Sequence, residues 1–268
     1  MEFEQKERYT IGDLERIIAL LRAPGGCPWD REQTHQSVRA NFIEETYEAV
    51  EAIDTGNTAL LQEELGDVLM QVLFHAQIEA EQGRFTFADV VNGVAQKLIV
   101  RHPHVFADVQ VRNSAEVLSN WDDIKKRTKA QTTQAEVLES VSKVLPALMR
   151  SFKVQKKAAK VGVVSQNADA ALDKVIDCAQ LLKQTLQQSE NTDQIDKGIG
   201  ELLFAAVGVA VKCEIEPEYS LTKSCNRFII DFTAVEEFLK EKHLCWSKLT
   251  PQELVSVWRQ VITEQDSK

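Results

Sequence analysis

Residues 41–53 read NFIEETYEAVEAI, and residues 62–73 read QEELGDVLMQVL. In the first stretch the apolar residues Phe42, Ile43, Tyr47, Val50 and Ile53 recur at three- and four-residue intervals, the spacing of a helical stripe. The break DTGNT at 54–58 separates the two stretches. The spacing therefore predicts helices over about 38–54 and 59–82, folded back on each other as an antiparallel pair.

Each helix carries the same acidic pattern: Glu44, Glu45 and Glu48 on one, Glu63, Glu64 and Asp67 on the other. Residues three or four apart share a helix face. Glu45 thus projects with Glu48, Glu64 projects with Asp67, and the hairpin brings four carboxylates together. Like charges ~4 Å apart repel by roughly 1 kcal/mol in water and about 4 kcal/mol at an effective dielectric of 20. Basic partners one turn further on would relieve this, but none is there. Residues 48–52 are Glu, Ala, Val, Glu and Ala, and Glu63, Glu64 and Asp67 are followed four positions later by Asp67, Val68 and Gln71. Such a cluster needs protons or hard cations, and an all-oxygen set suits Mg2+ or Mn2+. A carboxylate di-iron bundle would need Glu-x-x-His on two helices. Val72 and Ile99 stand three residues before His75 and His102, so that chemistry is excluded.

The rest of the chain also reads as helix. Of 268 residues 44% are apolar, while Gly and Pro number only 11 and 6. Helical stripes run over about 11–21, 88–101 and 113–127, broken by APGGCPWD (23–30) and HPHVFAD (102–108). Trp29 reads as a loop anchor, and His102 and His104, flanking Pro103, read as turn residues. The net charge of −10 argues against binding nucleic acid or an anionic membrane, and a polyanionic ligand would need a bridging cation. The N-terminus lacks the apolar run of a signal peptide, and no apolar run approaches the ~18 residues that span a bilayer. Five cysteines without CxxC spacing point to a reducing, cytoplasmic setting.

The second half repeats the first. LGDVLMQVLFHA (65–76) aligns with IGELLFAAVGVA (199–210), KLIVRHPHVF (97–106) with KSCNRFIIDF (223–232), and WDDIK (121–125) with WRQVI (258–262), in the same order. The expected layout is one helical unit over 1–127, a linker over 128–144 and a second unit over 145–268. Opposite Glu45, Glu48 and Glu64 the second copy has Cys178, Leu181 and Gly198, and only Glu201 stands opposite Asp67. A thiol, a leucine and a glycine cannot cage a hard cation. The second unit is expected to keep the fold without the metal site and to serve dimerisation, stabilisation or ligand sensing.

EETYE (44–48) with ELGD (64–67) resembles the EExxE…ExxD signature of the MazG nucleoside triphosphate pyrophosphohydrolases. GCPWDREQT (26–34), RHPHVFAD (101–108) and LPALMR (145–150) resemble the two-domain form of that family. The resemblance implies an all-α fold of two tandem MazG-like bundles. It also implies a homodimer and Mg2+-dependent hydrolysis of nucleoside triphosphates and their deoxy forms to monophosphate and pyrophosphate, cleaning the nucleotide pool. Glu45, Glu48, Glu64 and Asp67 would hold the metal, and Glu44, Glu45 and Glu48 would be the catalytic acids. Lys97 and Arg101, one turn apart, are candidates for phosphate oxygens. Trp121 would stack on base or ribose, and Lys125 would reach phosphate. An intact motif does not establish turnover, so the second reading is a nucleotide-binding regulator.

Overall fold

The computed structural model describes residues 3–114, 116, 117, 120, 121, 124, 132–163, 165–188 and 191–266, and among these every regular element is helical. The chain divides into two compact units, Met1–Thr128 and Lys129–Lys268. Each is a helical bundle built round a long hairpin.

In the first unit the elements are α1 (Ile11–Arg22), α2 (Pro28–Glu32), α3 (Arg39–Thr55), α4 (Thr58–Glu81), α5 (Phe87–Arg101) and α6 (Pro103–Phe106). The α3–α4 turn follows from its residues. Gly56 takes φ 66°, the left-handed conformation that ends a helix cheaply only at glycine. Asn57 then caps α4 by accepting a hydrogen bond from the Leu60 N–H. Thr10 with Asp13 and Thr86 with Asp89 close reciprocal capping boxes that start α1 and α5. Ile18, Val38, Leu73, Phe74 and Ile78 form the core between α1, α4 and the start of α3, with Leu14, Leu69, Met70 and Phe87 packed against it.

The breaks differ from the sequence reading, since HPHVFAD (102–108) holds the short helix α6. The segment after Gly26 is not all loop, because Pro28 supplies the first position of α2, where its missing N–H costs nothing. Trp29 is 61% exposed and does not anchor that segment. The buried Arg22 does so instead, its Nη1 donating to the carbonyls of Asp30 (2.5 Å) and Gln33 (3.2 Å).

The second unit contains α7 (Gln134–Glu139), α8 (Ala147–Ala159), α9 (Ala168–Gln188), α10 (Thr192–Lys212), α11 (Pro217–Glu241), a 3-10 turn at Trp246–Lys248 and α12 (Pro251–Asp266). Helix α7 lies inside 128–144, the stretch expected to be a linker. A capping box between Thr133 and Glu136 starts it, and Val137 buries it. Helices α9 and α10 pair as α3 and α4 do. Leu73 of α4 and Val207 of α10, 134 positions apart, are both 2% exposed, so the same point of each hairpin faces a core. Val235, Leu239 and Val261 form a further cluster with Trp246 and Trp258 packed on it.

Candidate metal centre

The α3–α4 hairpin brings carboxylate oxygens of Glu45, Glu48 and Glu64 within 4.8 Å of one another. Their settings differ. Glu64 is buried, Glu45 half-buried and Glu48 exposed, so the cluster opens from a closed floor to solvent. Asp67, one turn after Glu64, raises the pKa of both Glu45 and Glu64 through its charge. Glu44, next to Glu45 in the chain, is exposed and is not one of the three. Gln71, buried on α4, is a polar neighbour that offsets part of the rise at Glu45; sequence reasoning saw it only as a missing basic partner.

Burial, followed by neighbouring carboxylates, pushes Glu45 and Glu64 above the usual carboxylate range; the neighbours are chiefly Asp67 and Glu48 for Glu45, and Glu48 and Asp67 for Glu64. The oxygen Glu64 Oε2 is buried and has no hydrogen-bond partner among the described residues. A buried, unpartnered carboxylate oxygen beside two further carboxylates is the donor chemistry of a hard divalent cation. These residues fit Mg2+.

This has a thermodynamic consequence. A carboxyl with a raised folded pKa keeps its proton in the folded state at pH values where the unfolded chain has released it. Metal-free stability therefore falls as pH rises from the ordinary carboxylate value through the raised one. In EDTA the thermal midpoint is expected to drop across that window. Mg2+ should raise it, more so at higher pH, because the ligands must be deprotonated to bind. Glu64→Gln should flatten the pH dependence and blunt the Mg2+ response. A variant with an unchanged Mg2+ response would remove Glu64 from the ligand set.

Lys97 is exposed and Arg101 half-buried on α5, which packs against α4. Trp121 is half-buried, edge-on to His102 with ring centroids 5.3 Å apart. His102 caps the end of α5, its Nδ1 2.7 Å from the Leu98 carbonyl, which accounts for it as a turn residue. Lys125 lies outside the described residues.

A second polar cluster, not evident from the sequence, ties the α2–α3 connection to α4. His35 Nδ1 lies 2.7 Å from His75 Nδ1, and His35 Nε2 lies 2.5 Å from Glu79 Oε1. Arg84 also grips Glu79, one bond being Nη2 to Oε1 at 2.6 Å. Arg84 first and His35 second hold the Glu79 carboxyl down at about 2. Burial and the neighbouring His35 lower the pKa of His75. His75 packs against Phe42, one turn from Glu45, so this network joins the start of α3 to the last turns of α4, at the end of the hairpin away from the Gly56–Asn57 turn.

Comparison with known proteins agrees with this geometry. Residues 33–106, which span both acidic helices, match the MazG nucleotide pyrophosphohydrolase domain. The chain is 36% identical to the nucleoside triphosphate pyrophosphohydrolase/pyrophosphatase MazG of Thermotoga maritima, over 92% of this chain and 93% of that protein. It is 38% identical to the nucleoside triphosphate pyrophosphohydrolase of Escherichia coli K12, over 94% and 96%. It is also 43% identical to the uncharacterized protein YabN of Bacillus subtilis over 96% of this chain, but it spans only 53% of that longer relative. The acidic hairpin and the near full-length match to two pyrophosphohydrolases lead to one assignment: the chain belongs to the MazG family of nucleoside triphosphate pyrophosphohydrolases.

Proposed function

We propose that this chain hydrolyses nucleoside and deoxynucleoside triphosphates to the monophosphate and pyrophosphate, with Mg2+ held at the α3–α4 hairpin. One observation carries the reading: three carboxylates within 4.8 Å, one of them with a buried, unpartnered oxygen, inside the segment that matches the family. Glu45, Glu48, Glu64 and Asp67 would hold the cation, with Glu44 at its edge. When bound, the cation supplies charge neutralisation for the triphosphate and a more nucleophilic water. The chain supplies the rest. Lys97 and Arg101 bind phosphate oxygens, Trp121 stacks on the base or ribose, and Lys125 assists at phosphate. The floor of the hairpin, closed by the buried Glu64 and Gln71, excludes bulk water from one side of the site.

Incubation with Mg2+ and a panel of triphosphates, with pyrophosphate and monophosphate measured, tests this. Orthophosphate with diphosphate would sink the bond assignment. Binding without any release would favour the regulatory reading.

The active form is a homodimer in this reading. Ile43, Tyr47 and Val50 form an exposed stripe on α3, and Val91, Val94 and Leu98 form another on α5, helices long enough to bury such stripes against a second copy. Sedimentation should give about twice the 30.2 kDa chain mass; a monomer at micromolar concentration would refute it. No helix among the described residues is long and apolar enough to cross a membrane, and all five cysteines are free, which supports a reducing, cytoplasmic setting.

A further inference from the structure

The second unit holds a cavity of about 780 Å³ where the first unit is filled. Its origin can be traced residue by residue. With Leu73 matched to Val207, the buried Gln71 corresponds to Ala205, the core Phe74 to Gly208, and Glu64 to Gly198. On the partner helix Glu45 corresponds to Cys178. Every replacement is smaller. The third wall confirms the register. In the first unit the buried Arg22 of α1 lies over the Phe74 ring, 5.0 Å from its centroid. In the second, the buried Gln155 of α8 faces Gly208, where a Cβ would lie 3.1 Å from Gln155 Oε1. Three of these shortened side chains, Cys178, Ala205 and Gly208, line a space between α8, α9 and α10 of the size that holds a small molecule, while Leu182 fills the position beside Gly198.

The charge has reversed as well. Glu63 corresponds to Lys197, and Lys174 stands on the same rim; among the lining residues Glu201, 3.8 Å from Lys197, is the one carboxylate. Inside, Gln155 is 7% exposed. Its Nε2 donates to the Phe204 carbonyl (2.7 Å) and to Ser151 Oγ (3.1 Å). Its Oε1 accepts no hydrogen bond among the described residues and lines the cavity. That oxygen faces the open cavity and is available to accept a hydrogen bond from a ligand. Phe204 offers a half-exposed aromatic ring on the same wall.

We propose that this cavity binds a nucleoside monophosphate without a metal ion. The base would lie against Phe204 and donate an N–H to Gln155 Oε1, while the phosphate would meet Lys174 and Lys197. Cations from side chains would take the place that Mg2+ takes in the first unit. The choice of nucleotide rests on the proposed hydrolase reading, but the two can fail separately, because binding here is measured without Mg2+.

The test is calorimetric titration of the full chain, in EDTA, with each of the four nucleoside monophosphates, with adenosine and with inorganic phosphate. The expected result is one saturable site for at least one monophosphate, tighter than for adenosine or phosphate alone. The double variant Lys174→Glu, Lys197→Glu should weaken it at least about tenfold. Both lysines are exposed, so the variant should keep the wild-type circular dichroism and thermal midpoint. No binding of any monophosphate below about 1 mM would overturn the proposal. So would undiminished binding in the double variant, or inorganic phosphate binding as tightly as the nucleotide.

Discussion

Glu48→Gln is expected to lower Mg2+-dependent pyrophosphate release by roughly 10²-fold or more, since a lost charge on a catalytic cation's ligand costs several kcal/mol of transition-state stabilisation. The substitution keeps the side chain's size and removes only its charge. Glu48 is exposed, so the fold should not suffer; its loss removes one of three like charges within 4.8 Å and should leave the metal-free thermal midpoint unchanged or higher. Activity and stability thus move in different directions, which separates a metal ligand from a structural acid. The matched control is Asp177→Asn, an exposed acid on α9 in the second unit, which should leave the rate within roughly twofold. Measuring kcat/KM across a Mg2+ titration decides the matter. Equal losses in the two variants would end the view that catalysis sits in the first unit alone.

The parts of this site that sequence made legible share a physical basis. Helix periodicity converts the spacing of Glu45 and Glu48, and of Glu64 and Asp67, into common faces, and the two-residue turn at Gly56 and Asn57 forces those faces together. The absence of basic residues one turn away is also a local property. What was not legible depends on contacts between residues far apart in the chain. Glu79 meets His35 across 44 residues, and Arg22 meets Glu81 across 59. Nothing near Gln71 in sequence says that it will be buried beside the acids. Trp29 misled because an aromatic residue beside Pro28 usually anchors a loop by burial, and here Arg22 satisfies the loop carbonyls first. The cavity in the second unit was half visible. Alignment exposed the lost acids at Cys178 and Gly198, but the larger loss, Phe74 to Gly208, matters only once both positions are known to face a third helix.

That third-helix contact makes Arg22 the residue whose removal should most damage the first unit. Its side chain is 5% exposed and satisfied on every side. Nε and Nη2 meet the Glu81 carboxylate at 2.8 and 2.9 Å, Nη1 meets the carbonyls of Asp30 and Gln33, and the guanidinium plane lies over Phe74. One group thereby joins the end of α1, the α2 segment and the end of α4. Arg22→Ala removes the charge, opens a void beside Phe74 and leaves the Gln33 carbonyl without a donor, while the Asp30 carbonyl keeps only the Gln33 N–H. Together these should cost about 3 kcal/mol, near the low end for breaking a buried pair, because Glu81, at 36% exposure, can return to water. Glu81→Gln should cost a similar amount, about 3 kcal/mol, since it leaves the buried Arg22 guanidinium without its counter-charge. Arg22→Lys should resemble the alanine variant more than the wild type, because an ammonium cannot span a carboxylate, two carbonyls and a ring face at once. Urea unfolding of the three variants measures this directly. If Arg22→Ala fell within about 1 kcal/mol of wild type, α2 and α4 would be held by apolar packing alone. If instead it unfolds early, Mg2+ should recover part of the loss, because the helix that Arg22 secures at one end carries Glu64 and Asp67 near the other.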